Sequence, residues 1–171
     1  ETGSTRRYDV PRNVEPEAFG VGLAQLFVVD HRPADDPTSY RVGAIDLASG
    51  EFGGLIGPDK QPLDLDMSGT AHQQVLSPSG SQLYTLYIEH AHSGGSDAAH
   101  AAPVGTAFVH VLDLAGGWAY CVDLPGVGHG REGTSSLRLG RGGADLVVTD
   151  RDANTRVRVP IGDLDLEDLL D

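Results

Sequence analysis

The sequence predicts an all-β fold: propeller-type antiparallel sheets of four short strands, about two and a half to three of them in 171 residues. Three observations carry this. Short runs rich in Val, Leu and Tyr recur between turn residues. Gly 23 and Pro 10 supply unusually many turns. The chain also repeats itself, and units of this size that recur along a chain are the signature of a repeat architecture.

The clearest unit spans 69–125. Gln74–Leu76, Leu83–Ile88, Phe108–Leu114 and Trp118–Leu124 read as its four strands. Ser77-Pro78-Ser79-Gly80 turns the chain after the first and Ala115-Gly116-Gly117 after the third, since Pro fixes φ and Gly accepts positive φ.

Residues 1–6 read as a remnant of expression. Glu1-Thr2-Gly3-Ser4 resembles what a secretion vector leaves behind, and this suggests a secreted or extracytoplasmic setting. Arg7–Val10 reads as the last strand of a preceding unit, stopped by Pro11. The first complete unit is 7–57. Val14–Phe19 carries Pro16 and so predicts a short edge strand. Gln25–Asp30 and Tyr40–Leu47 are its central strands, and Glu51–Ile56 is a weak outer one. Gly57–Ser68 is a polar connection.

The repeat is exact enough to measure. Gln25-Leu26-Phe27 aligns with Gln82-Leu83-Tyr84, and Val42 to Gly50 aligns with Val109 to Gly117, ending Asp46-Leu47-Ala48 against Asp113-Leu114-Ala115. The offset changes between the two matches, so the second unit carries an insertion, 90–104. A partial third unit, 134–161, holds strands Ser135–Leu139, Leu146–Asp150 and Arg156–Ile161, with turns at Gly142-Gly143 and Asp152-Ala153-Asn154. The acidic tail 162–171 alternates Asp/Glu with Leu.

Ser77-Pro78-Ser79-Gly80-Ser81-Gln82-Leu83-Tyr84 and Leu112-Asp113-Leu114 resemble the repeats of the YVTN/YncE-like family of bacterial β-propellers. Asn13–Phe19 is similar to segments of secreted actinobacterial proteins of that kind. The resemblance covers about residues 8–161. It implies a repeat scaffold rather than a particular reaction. It also implies a closed ring, and a ring needs at least about four blades. The expected partner is therefore a second copy of the chain or the missing blades of a larger propeller.

Charge excludes some function classes. Twelve basic residues face 25 acidic ones, for a net −13. Such a surface repels nucleic acid and anionic headgroups. No run approaches the roughly 18 apolar residues of a spanning helix, so no membrane insertion is expected. Cys121 is the lone cysteine, so no intrachain disulfide forms. It reads as an inert buried thiol.

Two side-chain sets are candidates for chemistry. Glu15, Glu17, His72 and Gln74 would face a central channel if Val14–Phe19 and Thr70–Leu76 are innermost strands of adjacent blades, and they form the candidate ligand site. His90, His92 and His100, beside Glu89, form the candidate metal set. His90 and His92 project to one face of an extended chain, and neutral imidazoles with a carboxylate suit a divalent ion such as Zn²⁺. The competing view of that loop is solvent-exposed histidines without a cofactor.

Asp46 and Asp113 recur before a turn and read as ligands of turn amides. Trp118 and Tyr120 share a face and read as core between sheets. Gly126–Gly130 is a loop, and nucleophile elbows, P-loops and dinucleotide fingerprints are absent. No catalytic residue is assigned. The expected function is a non-catalytic binding or interaction module; the alternative is a metal-dependent hydrolase or lyase of propeller type, worked from Glu15, Glu17 and His72 near the channel.

Overall fold

The computed structural model describes residues 3, 5–57, 61–63, 66–88, 107–124, 127, 135–150, 152 and 154–161. The insertion with His90, His92 and His100, most of the Gly126–Gly130 loop and the 162–171 tail lie outside the described residues.

The fold is all-β, in three antiparallel sheets. The first has the order β1-β2-β3-β4, from Asn13–Phe19, Gln25–Arg32, Ser39–Asp46 and Phe52–Gly54. The second has the order β5-β6-β7-β8, from Thr70–Leu76, Gln82–Ile88, Ala107–Asp113 and Ala119–Leu124. The third holds β9 (Ser136–Leu139), β10 (Asp145–Thr149) and β11 (Thr155–Pro160), also in chain order. A 3-10 turn at Arg141–Gly143 is the one helical element among the described residues.

The second sheet lies between the other two, as its sequence dictates. Alternate residues of a strand face opposite sides. On β6 both sets are apolar or sheltered, and all seven residues are buried. One face sends Leu83, Tyr87, Phe108, Leu112 and Ala119 against Phe27, Tyr40, Val42 and Ala44 of the first sheet. The opposite face sends Tyr84, Leu86, Val109 and Val111 against Leu137, Leu146 and Val148 of the third. Tyr87 stacks between Tyr40 at 5.1 Å and Phe108 at 5.2 Å, which ties the first interface together.

The sequence repeat reappears as repeated hydrogen bonds. Asp46 Oδ1 accepts from the Ala48 and Ser49 amides at 2.8 and 2.7 Å. Asp113 Oδ1 accepts from the Ala115 amide at 3.0 Å and from the Gly116 amide. Gly50 donates to the Asp46 carbonyl and Gly117 to the Asp113 carbonyl, both with φ in the left-handed region, +81° and +71°, that glycine tolerates. Leu47 donates to Ala24 as Leu114 does to Ser81. Asp150 performs a similar turn service, accepting from Asp152 and Asn154.

Some expectations are corrected. Arg7–Val10 is not a strand. The segment instead lies along the β3–β4 turn, where Arg6 donates to the Leu47 and Ala48 carbonyls and the Tyr8 hydroxyl to Leu47. β1 is the edge strand that Pro16 suggested and starts one residue earlier, at Asn13, with a bulge after the proline. β4 is shorter than Glu51–Ile56. Leu55 leaves the ladder to enter the core, 3 % exposed, and its carbonyl accepts from Leu63. The 57–68 connection is not wholly polar, since Met67 bridges to Tyr40 and is buried. Cys121 is half-buried, its thiol 3.8 Å from the Met67 sulfur. Trp118 precedes β8 rather than lying in it, and stacks on Tyr120 at 5.8 Å.

Candidate functional site

The first strands of the first and second sheets carry the polar residues of a cleft. β1 reads Asn-Val-Glu-Pro-Glu-Ala-Phe and β5 reads Thr-Ala-His-Gln-Gln-Val-Leu. None of these positions is fully buried, so the polar side chains other than Glu17 cost little there.

Both strands contain a β-bulge. On β1 the register slips between Pro16 and Ala18, leaving Glu17 as the extra residue. On β5 it slips between Ala71 and Gln73, leaving His72 as the extra residue. A bulge re-aims the inserted side chain and is common beside functional sites. The two inserted residues line the same cleft, of about 360 Å³, together with Glu15, Gln73, Gln74 and Tyr87. Glu15, Glu17, His72 and Gln74, named from the sequence as a set, are therefore neighbours around one opening.

Glu17 is the most constrained member. Its Oε1 accepts from the Thr85 hydroxyl and from the Gln74 amide, both at 3.2 Å. Its Oε2 is fully enclosed and has no hydrogen-bond partner among the described residues. Burial pushes the carboxyl above the usual carboxylate range; the Thr85 and Gln74 bonds oppose this and the nearby Glu15 charge adds to it. Glu15 itself is exposed, with His31 Nε2 at 3.5 Å. The Tyr87 phenol is driven far upward by burial and then by Glu17, so it stays protonated.

Behind Glu17 runs a row that sequence reasoning missed. Gln74, Thr85, His110 and Cys121 are successive cross-strand partners on the second sheet. They put one polar stripe through the interface with the first sheet. His110 is 0 % exposed, with neither ring nitrogen hydrogen-bonded among the described residues. Burial lowers its pKa to about 4, so the ring is neutral at pH 7. The available signal was a lone His inside the apolar run Phe108–Leu114.

The neighbouring sheet joins the same end of the fold. Gln73 Oε1 accepts from the Leu137 amide at 2.9 Å, and β9 packs against β5. So β1, β5 and β9, the first strands of three successive sheets, are linked through side chains of β5. Among the described residues no group of three His, Cys, Asp or Glu side chains is placed to hold a metal ion. The metal set named from the sequence lies in the insertion and outside those residues. No helix among the described residues is long and apolar enough to cross a membrane.

No family model matches the chain, and no curated protein matches it. Among solved structures, hydrazine synthase from Kuenenia stuttgartiensis is similar at a TM-score of 0.40 and 15 % identity, over 83 % of this chain and 48 % of that one. The chain thus spans about half the length of that protein.

Proposed function

We propose that this chain is a non-catalytic binding module of propeller type, completed by another chain or a second copy, with an ammonium-bearing ligand held in the cleft between β1 and β5. The observation that carries the ligand is Glu17 Oε2, an enclosed carboxylate oxygen with no donor among the described residues. A buried acceptor left unbonded is costly. A small turn of the Glu17 side chain into the cleft it lines would let an alkylammonium N–H satisfy this oxygen and pair with its charge. Glu15 at the rim and the net charge of −13 favour the same sign of ligand.

Support for propeller-type blades comes from the repeated four-strand order, the face-to-face stacking and the adjacency of the first strands. Support for a partner comes from one end of the fold. Phe19, Val21 and Leu23 around the β1–β2 turn are 57, 59 and 69 % exposed, and Leu76, at the equivalent end of β5, is 51 % exposed. Apolar residues gathered so are a common mark of an interface.

Titration with benzylamine, followed by amide NMR, tests the site. Saturable binding that shifts Glu17, His72 and Gln74 is the expected result, and hexanoate should leave these signals in place. Benzylamine without effect there removes the ligand reading. Sedimentation tests the partner: self-association or a captured ring-completing chain is expected, and a stable monomer at high concentration that captures no such chain counts against completion. A stoichiometric metal in the purified protein, lost on His72→Ala, would move the reading to the metal-dependent hydrolase or lyase.

A further inference from the structure

A second cavity, of about 480 Å³, opens beside β2, β3 and the segment that follows β4. Small-molecule sites fall in the range of roughly 300–1,000 Å³. Arg12, Arg32 and Arg41 all line it, in a chain with only twelve basic residues against 25 acidic ones. Leu55, Ile56, Pro62 and Leu63 form its apolar wall.

Among the described residues the charges do not cancel. Asp30, 2 % exposed, uses one oxygen, Oδ2, for both Arg12 Nη1 and Arg32 Nε, each at 2.9 Å. One guanidinium would neutralise that carboxylate; two leave an excess of one positive charge. Arg41 pairs with Asp66, whose carboxyl also feels the Arg32 charge. A guanidinium has five N–H donors in a planar fork. The contacts to Asp30 occupy only part of the Arg12 and Arg32 sets, and the two side chains remain 40 and 35 % exposed.

The arrangement is also held in place. Arg12 lies over the Phe52 ring at 4.5 Å. Phe52 in turn lies against Gly43, where a Cβ would come within 2.5 Å of the ring. A glycine at this position of β3 is what lets the ring, and the cation above it, sit close to the sheet.

We infer that this cavity binds a small organic carboxylate with an apolar body, its head between Arg12 and Arg32 and its body along Leu55 and Leu63. Fork-shaped bidentate pairing is the mode in which guanidinium groups recognise carboxylates, and the wall accounts for selection of a hydrophobic acid over a bare anion.

The test uses the whole chain, with sodium hexanoate as probe and inorganic phosphate and hexylamine as comparisons. Amide NMR should show saturable hexanoate binding that shifts Gly43, Gly54, Leu55 and Leu63 and leaves His72 and Gln74 in place. Arg32→Gln should weaken binding about tenfold or more, the effect of one lost charge-assisted contact. Leu63→Ser should weaken hexanoate but not acetate, and this variant leaves the Asp30 network intact if Arg32→Gln fails to fold. No saturable hexanoate binding, shifts confined to the β1/β5 cleft, or phosphate or hexylamine binding as tightly as hexanoate would each overturn the assignment.

Discussion

Thr85 Oγ1 donates to Glu17 Oε1 at 3.2 Å, and this bond joins the second sheet to the first directly behind the cleft. Thr85 is 0 % exposed and stands opposite His110 on the neighbouring strand. A chargeable carboxyl and a chargeable imidazole therefore flank one hydroxyl within the polar stripe of this interface. Their protonation states set how that interface responds to pH.

His110 should make the protein acid-sensitive. Its folded pKa, about 4, lies below its ordinary value of 6.5. The unfolded chain then binds more protons between these limits, so stability falls as pH drops through that window. The gap corresponds to about 3 kcal/mol at its full extent. His110→Leu removes the titration and two buried polar atoms without partners among the described residues. Denaturant unfolding at pH 7 should show a gain of about 1–3 kcal/mol, with a shallower loss toward pH 4. A variant as acid-sensitive as the parent would refute this.

Glu17 should act in the opposite sense. Its folded pKa is raised above the ordinary 4.5. Here the folded state binds more protons, so stability is lost as pH rises through the folded value. Glu17→Gln keeps an acceptor for Thr85 and cannot ionise. The stability difference between variant and parent should therefore grow in the variant's favour as pH increases from 4.5. Benzylamine affinity of the parent should rise over the same range, because the proton and the ammonium compete for one carboxylate. A pH-independent difference between the two proteins would show that Glu17 does not titrate in this way.

The paired turn aspartates should be interchangeable in effect. Asp46 and Asp113 each accept from two turn amides. The Asp46 carboxyl is held below its usual range by the Ser49 and Ala48 bonds, so its contribution is present above the ordinary carboxylate value and fades as pH falls. Asp46→Ala and Asp113→Ala should lower the melting temperature by similar amounts at pH 7, and the Asp46→Ala loss should shrink in acid. A large effect from one variant and none from the other would break the equivalence that the repeat asserts.

Much of this fold was legible in the residues. The central strands were placed within two residues at most ends, because Pro and Gly fix where a chain turns and apolar runs fix where it pairs. The repeat also placed Asp46 and Asp113 in the same structural role. Glu15, Glu17, His72 and Gln74 could be named together because they are polar residues on the first strands of successive units. The bulges at Glu17 and His72 could not be seen. A bulge depends on the partner strand's register, and β1 alone reads as plain alternation. Nor could the meeting of Arg12, Arg32 and Arg41 be read from a chain in which they are separated by strands and a turn.

By itself, then, the sequence determined the all-β character, the strand order within each unit and the chemistry of the turns, since these depend on residues near one another along the chain. The tertiary structure alone decided that the second sheet is covered on both faces, that His110 and Thr85 are sealed behind Glu17, and that two glutamates meet at one cavity and three arginines at another. Burial and local potential are sums over neighbours brought together from distant positions, and no stretch of chain holds that information alone.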